Sequence, residues 1–423
     1  MTFANIIDSI KEGGKNLILL VKWLLISIIV GVVVGGVSTL FAHIMEFVTD
    51  YRNHNTWLLL LLPAGGLVIA GLYKIASNEN NDRGTNMILS SILSNEQIPY
   101  RMAPMIIVST VISHLFGASV GREGAALQLG GSLGSLIGKV IRLDDADKKV
   151  VVMCGMSAAF AALFGTPMAA AIFALEVIHV GVMYYVALVP CIFSALIASQ
   201  FAAGMGIHPE VFTILAIPKL TPVSALQCVL LSVICAVVSI IFCMMLHGSG
   251  HFFKKYFKNI FVRVLVGSAV IVLLTIILRT SDYMGAGIGV IDRAISGEVV
   301  PTAFIFKMIF TALAIGCGFK GGEIVPSFFV GATLGCLVGK IIGFEPSTAA
   351  AVCMVGMFCC VTNCPITSIL IAFELFGYKA VPFFLICNAV GCMMSGYFGL
   401  YSDQLINSSK YKIGLSINAK KES

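Results

Sequence analysis

The chain has 423 residues, of which 58% are hydrophobic and only 11% are charged. Apolar runs long enough to cross a bilayer recur along it, which excludes a soluble globular protein of this size. The formal net charge is +6, but much of it lies in loops and in the C-terminal tail. This distribution favours cytoplasmic ends of a multi-pass membrane protein and indicates no nucleic-acid partner.

The first part of the chain predicts a surface helix followed by two membrane spans. Residues 1–16 place apolar and charged side chains at the spacing of an amphipathic helix lying on the bilayer, and no signal-peptide cleavage site follows. Residues 17–48 exceed the roughly 20 residues of a perpendicular span, so a long tilted helix is predicted. A second span is predicted at 57–75. The polar segment 78–87 then leads into a short apolar stretch.

Several of the next predicted helices are too short to cross a bilayer alone. They lie near residues 102–115, 124–141, 149–164 and 167–180, and a longer apolar run at 182–203 follows them. Short helices that begin at glycine or proline are tolerated in membranes only when they pack within protein or line a cavity. The second half repeats this plan, with helices predicted at 225–246, 261–278, 304–318, 347–362, 365–377 and 380–398.

The chain is therefore predicted to be an all-α polytopic membrane protein built from two repeats of many tilted, broken and re-entrant helices. The predicted units are a surface helix (1–16), a first membrane repeat (17–205), a link (206–222), a second membrane repeat (223–408) and a basic cytoplasmic tail (409–423). The thirteen cysteines lie mostly in apolar runs, so buried thiols are predicted rather than a disulfide or zinc framework.

One motif carries an unusual pair of charges. Arg122 and Glu123 open an apolar, glycine-rich helix that has no further charge until Lys139. A carboxylate at bilayer depth is costly and usually lies on an ion or proton pathway. The positive end of a helix beginning near Gly124 also attracts anions. The alternative is a glutamate that only caps a helix.

A second copy of this motif indicates an internal duplication. Residues 321–326 read G-G-E-I-V-P and also precede an apolar helix rich in small residues. Gly138-Lys139 and Gly339-Lys340 match at a spacing of 201. Residues 167–176 and 365–374 both run from proline to glutamate in nine steps. Such repeats in transport proteins bring broken helices together near the bilayer midplane.

These motifs resemble those of the CLC family of anion channels and proton-coupled anion exchangers, over nearly the whole chain. The family's G-R-E-G-x motif stands at 121–125, its G-G-x-F-x-P motif matches 321–326, and its proline-to-glutamate helices match the two segments above. The resemblance implies an inverted repeat and a homodimer with one pathway in each subunit.

Departures from the chloride-type pattern resemble the fluoride-type branch. The serine of G-S-G-I-P is missing near Gly84, where the chain reads Gly84-Thr85-Asn86-Met87, and Ala125 stands where chloride-type members have proline. Val177 replaces the second proton-carrying glutamate, and residues 399–404 read G-L-Y-S-D-Q. The branch implies fluoride/proton antiport that exports fluoride across the cell membrane.

The resemblance also implies roles for individual residues. Glu123 would be the gate and proton carrier, and Glu323 would transfer protons on the inner side. Tyr401 would donate a hydrogen bond to the anion, and Val325 would line its site. Fluoride requires strong, compact donors because its hydration is strong. Backbone N–H groups at 84–86 and 322–324, with the Thr85 side chain, are candidates, so the predicted anion site comprises Gly84, Thr85, Asn86, Met87, Gly322, Val325 and Tyr401.

Several alternatives stay open at this stage. Glu323 has a structural reading at a helix break, and Tyr401 has one as an interfacial anchor. Arg122, Glu176 and Glu374 are interpreted as structural. A CLC-type chloride/proton exchanger and a passive anion channel share the same architecture. An enzyme is not predicted, since no H-E-x-x-H motif and no histidine spacing for a metal occur, and no cofactor is implied.

Overall fold

A computed structural model gives the structure of residues 3–76, 84–94, 96–411 and 419–420, with the backbone alone described for 3–12 and 419–420. The predicted polar segment before Gly84 and most of the basic tail lie outside these residues. The helices are α1 Phe3–His54, α2 Leu62–Ala76, α3 Thr85–Ser94, α4 Met102–Leu115, α5 Glu123–Val140, α6 Asp145–Phe164, α7 Pro167–Glu176, α8 Leu188–Gly204, α9 Pro222–Tyr256, α10 Ile260–Leu278, α11 Ile288–Ile295, α12 Ala303–Cys317, α13 Ile324–Ile342, α14 Pro346–Thr362, α15 Pro365–Phe376 and α16 Val381–Met394.

The long apolar helices are the candidate membrane-spanning segments. Six segments of the described chain are long and apolar enough to cross a bilayer, at Gly13–His54, Thr56–Ile75, Tyr185–Gly204, Pro222–Tyr256, Ile260–Leu278 and Ile324–Ile342. α1 continues through residue 16 without a break, so the predicted surface segment and first span share one helix. The predicted second span begins with a 3₁₀ turn, Thr56–Leu61, before α2.

The centre of the protein is formed by two equivalent helix pairs, α5 with α6 and α13 with α14. Residues 150–164 of α6 and 347–362 of α14 are buried throughout. Small residues allow close approach: a methyl group at Gly130 would overlap the carbonyl oxygen of Gly155, and one at Gly331 would overlap that of Cys353. Close backbone packing of this kind stabilises helix pairs in lipid, where no hydrophobic force drives helices together.

The central helices α6 and α14 end in the same way in the two repeats. Gly165 follows α6 and Asn363 follows α14, both with left-handed backbones (φ 68° and 59°). A proline then begins α7 and α15, where the missing N–H costs nothing. The C-terminal glutamate of each of these helices caps the start of the other. Glu374 accepts the N–H groups of Met168 and Ala169 at 2.8 and 2.9 Å, and Glu176 makes the equivalent bonds to α15.

A small sheet joins the C-terminal segment to the first repeat. β1 (His179–Val180) pairs in parallel with β2 (Leu405–Ile406), and β2 pairs antiparallel with β3 (Ala419–Lys420). The prediction of helix through residue 180 is therefore wrong, since α7 ends at Glu176. The prediction of helix to residue 398 is also wrong, because α16 ends at Met394.

Candidate functional site

A pair of glycines joins the two repeats at the candidate site. The N–H of Gly121 donates to the carbonyl of Gly322, and the N–H of Gly322 donates to the carbonyl of Gly121, each at 2.7 Å. The two residues are 201 positions apart, the same spacing as the sequence repeat. The exchange of bonds between equivalent residues places the pseudo-twofold axis between them, and α5 and α13 begin within two residues of it.

Glycine is required at both positions because the backbone segments of the two repeats approach each other closely. A methyl group at Gly322 would overlap the backbone nitrogen of Gly124, and one at Gly121 would overlap the carboxylate of Glu123. The hydrogen bonds between Gly121 and Gly322 also contradict one prediction about the anion site. The prediction that the N–H of Gly322 is free to bind an anion is wrong in this conformation, because Gly121 accepts it.

Glu123 is the first residue of α5 and its side chain is fully buried. Its Oε2 accepts the N–H of Val325, in the first turn of α13, at 3.4 Å. Its Oε1 is buried without a partner among the described residues. The first N–H groups of a helix have no acceptor within that helix and attract negative charge. The carboxylate of Glu123 therefore lies where the end of α13 favours an anion.

Glu323 lies directly before α13, where it is the N-cap residue, and is partly buried. Its side chain makes no capping hydrogen bond to the helix. A methyl group at Gly124 would lie 3.4 Å from Oε2 of Glu323, so this carboxylate packs against the start of α5. Glu123 of the first motif thus lies beside α13, and Glu323 of the second motif lies beside α5.

The start of α3 forms a third wall. Gly84 has a left-handed backbone (φ 56°), and α3 begins at Thr85. The hydroxyl of Thr85 lies 3.5 Å from the carbonyl of Gly124 and accepts a bond from Gln128 at 3.4 Å, which holds α3 against α5. Met87 is 5% exposed, and its N–H donates to the carbonyl of Gly84 within the turn.

The loop that carries Tyr401 closes the site. Tyr401 is 2% exposed, and its hydroxyl has no hydrogen-bond partner among the described residues. The hydroxyl is near enough to interact electrostatically with both Glu323 and Glu123. Asn86 accepts the N–H of Asp403 at 3.3 Å, and Ser90 donates to the carboxylate of Asp403 at 2.5 Å. The loop is therefore tied to α3, and it holds a Tyr401 hydroxyl that no other described residue pairs with.

Sequence reasoning missed the residues that fix this loop. The side-chain amide of Gln404 donates to the carbonyls of Val177 and Thr362, both at 2.9 Å. Asn363 donates to the amide oxygen of Gln404 at 3.1 Å, and the ammonium of Lys410 donates to the amide oxygen of Asn363 at 2.7 Å. The only available signal was Gln404 in the motif at 399–404. Asn363 and Lys410 carry no local pattern that indicates their partners.

The structural interpretation of Arg122 predicts a partner within the protein, and Glu210 is one. Its guanidinium makes an ion pair with Glu210 at 3.0 Å and contacts the carbonyl of Leu163 at 3.4 Å. The structure thus gathers the starts of α3, α5 and α13, two carboxylates and an unpaired phenol around one glycine junction. Such a site can hold a small anion or exclude it with a charged carboxylate.

Comparisons with known proteins identify similar chains. Residues 65–396 match the protein family described as voltage gated chloride channel. A chloride/fluoride channel protein of Pseudomonas syringae pv. tomato is 34% identical over 400 residues, covering 92% of this chain and 88% of the relative. The crystal structure of a CLC-type fluoride/proton antiporter is 31% identical with a TM-score of 0.86, covering 92% of this chain and 98% of that one. A slow cyanobacterial Cl⁻/H⁺ antiporter has the same fold, with a TM-score of 0.79 at 16% identity and coverage of 88% and 94%.

Proposed function

Because this chain belongs to the voltage-gated chloride channel family, we propose that it is a fluoride/proton antiporter that exports fluoride from the cytoplasm. The observation that carries the proposal is the position of Glu123, whose buried carboxylate accepts the N–H of Val325 at the start of α13. A relative that shares 34% identity is a chloride/fluoride channel protein, and a similar solved structure is a fluoride/proton antiporter. These similarities support the choice of fluoride.

Exchange of protons for fluoride follows because the Glu123 carboxylate and the anion compete for the same helix-end donors. When Glu123 is charged, its carboxylate takes the helix-end donors and repels a halide from the same position. When Glu123 binds a proton, its charge is lost and an anion takes the donors instead. Proton binding and anion binding are thereby linked thermodynamically, so each changes the affinity for the other.

The remaining site residues complete the proposed pathway. Glu323 transfers protons between Glu123 and the inner side, and its carboxylate lies against the start of α5, close to Glu123. Tyr401 donates its unpaired hydroxyl to the anion. The first turn of α3, Gly84 to Met87, and the backbone at 322–325 form the rest of the anion site. Gly322 contributes through close approach and not through its N–H, which is already bonded.

The proposed setting is the cell membrane. The protein is a multi-pass membrane protein, and we place both termini in the cytoplasm because of the basic tail. Residues 17–205 and 223–408 are proposed as the two repeats, with 206–222 as their link and 1–16 on the membrane surface. Its relatives are channels and antiporters, and we propose no enzymatic activity. A homodimer in the lipid bilayer, with one pathway in each subunit, is the proposed assembly.

A liposome assay tests the function directly. Proteoliposomes loaded with fluoride or with chloride are diluted into halide-free buffer, and halide efflux and proton uptake are measured together. An imposed pH gradient should drive fluoride uphill, with much slower chloride transport. Uphill chloride transport at the same rate supports the chloride/proton exchanger instead. A reversal potential that ignores the pH gradient indicates a passive channel.

A further inference from the structure

A polar cavity lies beside the gating glutamate. It has a volume of about 580 Å³ and is lined by the C-terminal end of α1, by residues 281–290 and by Arg122. Arg122 directly precedes Glu123, so the cavity reaches the residue next to the proposed gate. With the N-terminus of α1 in the cytoplasm, the cavity faces the extracellular side.

Two of the arginines that line the cavity are neutralised by acids. Arg122 pairs with Glu210 at 3.0 Å, and Arg293 pairs with Asp282 at 2.7 Å. Two other acids in the lining, Glu46 and Asp50, are exposed to solvent at the rim. Their charges are screened by water there. The fixed acids therefore do not neutralise the floor of the cavity.

Arg52 is the charge on that floor without an acid. Its side chain is 7% exposed, and its guanidinium donates to the carbonyl of His114 at 3.2 Å and to the amide oxygen of Asn53 at 2.9 Å. Within the described residues it has no carboxylate partner. An arginine keeps its charge in a protein, and a buried charge without a counter-charge is strongly destabilising.

A second basic side chain lies directly behind Arg52. Lys307 is fully buried, donates to the carbonyls of Gly285 at 2.6 Å and Tyr283 at 3.2 Å, and lies 5.0 Å from the ring of Phe329. No described carboxylate pairs with it. A methyl group at Gly285 would lie 2.5 Å from Nη1 of Arg52, so Gly285 separates the two basic side chains. Lys307 is also within electrostatic range of Glu123.

His114 supplies a further unsatisfied polar atom. It lines the same cavity, is 2% exposed, and its Nε2 has no partner among the described residues. A buried polar atom without a hydrogen bond is costly unless a ligand or water satisfies it. The guanidinium of Arg52, which has no described carboxylate partner, and the unsatisfied Nε2 of His114 thus line the same cavity, and the buried amine of Lys307 lies behind them.

We propose that this cavity contains a second binding site for a small monovalent anion, held by the guanidinium of Arg52 and by His114 in the tautomer that carries its proton on Nε2, with the buried amine of Lys307 behind them. An anion there neutralises the charge of Arg52 and lies next to Arg122, one residue from the gate. Identifying it as fluoride that has passed Glu123 rests on the proposed function. The binding of an anion by these side chains does not depend on the proposed function.

Bromide provides a direct probe, because its absorption edge identifies it in a crystal and the open cavity admits a larger halide. Crystals of the full chain soaked in sodium bromide should show an anomalous peak beside Arg52 and His114. The peak should remain in Arg101→Gln, a control at an exposed arginine, and disappear in Arg52→Gln. His114→Ala serves as the second variant, since it removes the imidazole and keeps the carbonyl that Arg52 uses. No peak in the wild type, or a peak that persists in both cavity variants, overturns the proposal.

Transport gives an independent measurement. In liposomes, Arg52→Gln should raise the apparent KM for extracellular fluoride about tenfold, as expected for the loss of one charge-assisted hydrogen bond. The proton-to-fluoride ratio should stay unchanged, because Glu123 is intact. An unchanged KM in Arg52→Gln and His114→Ala contradicts a site on the pathway. If the wild type exchanges no fluoride, the proposed function fails, whereas the bromide peak still establishes the site.

Discussion

Arg122 and Glu323 occupy equivalent positions in the two repeats, each as the N-cap residue of the helix that leads away from the central glycine pair. They are 201 positions apart but carry opposite charges. Glu123 is correspondingly equivalent to Ile324 and not to Glu323. The duplicated backbone therefore carries an asymmetric set of acids. This asymmetry gives the two glutamates different surroundings, so their substitutions should have different effects.

Replacing Glu123 by glutamine should abolish proton coupling and leave passive fluoride movement. The amide has nearly the shape of the carboxyl group but cannot carry a proton through the cycle. Fluoride efflux from proteoliposomes should then be independent of pH, with no accompanying proton uptake. Glu298→Gln, at an exposed acid, serves as the control and should behave as wild type. Uphill proton movement in the Glu123→Gln variant would contradict the gating role.

Replacing Glu323 by glutamine should lower the proton-to-fluoride ratio while the protein still expresses normally. Its side chain makes no capping bond to α13, so its loss removes little structural support. The ratio is measured from simultaneous fluoride-electrode and pH-electrode traces. A drop in yield and thermal stability with an unchanged ratio would instead assign Glu323 to structure.

Replacing Tyr401 by phenylalanine should weaken fluoride binding without lowering the stability of the fold. The buried hydroxyl has no partner in the described parts of the chain, so its removal should leave the thermal midpoint unchanged or slightly raised. The apparent KM for fluoride should rise by about tenfold or more, because a hydrogen bond to an ion is lost. A lower midpoint with an unchanged KM would mean that the hydroxyl supports the fold and does not contact the anion.

Much of the architecture could be predicted from the sequence because it repeats. The spacing of 201 between the motifs, the prolines that begin α7 and α15, and an acid within two residues of each central glycine all appear without any three-dimensional information. The predicted bounds of α4 agree with the structure, because the charged Arg101 precedes Met102 and Gly117 follows shortly after Leu115. Glu123 stood out as a charge inside an apolar helix, which local composition alone reveals.

What could not be predicted depends on contacts between distant segments. The N–H of Gly322 is used by a residue 201 positions away. The strand at His179–Val180 forms only because residues 405–406 lie beside it, and in the sequence it reads as the end of an apolar helix. Arg52 and Lys307 come from α1 and α12, and only the fold places both beside Gly285.

Replacing Glu176 or Glu374 by alanine should destabilise the protein without changing the transport ratio. Glu176 accepts the N–H groups of Ile366 and Thr367 and the Thr367 hydroxyl, at 2.6–3.0 Å. Each unsatisfied buried donor costs about 1–3 kcal/mol, so a clear fall in the thermal midpoint in detergent is expected. Glu298→Ala is the exposed control. A changed proton-to-fluoride ratio in either variant would contradict the structural interpretation.

Replacing Lys410 by methionine should weaken fluoride binding although Lys410 is not in the anion site. Its ammonium donates to Asn363 at 2.7 Å, to the carbonyl of Cys392 at 2.9 Å and to that of Gly396 at 2.6 Å. Asn363 in turn holds Gln404, three residues after Tyr401. Loss of the ammonium should loosen this loop and misplace the phenol, which raises the apparent KM several-fold.

Hydrogen exchange measures the loosening directly, and amides at 399–406 should exchange faster in Lys410→Met than in wild type. Lys410→Arg should restore part of the protection, because a guanidinium supplies several donors to the same carbonyls. Lys379→Met removes an exposed lysine and is the matched control. In a Tyr401→Phe background, Lys410→Met should raise the KM little further, since both changes act through the same hydroxyl. Full additivity of the two effects would show that Lys410 acts elsewhere than through Tyr401.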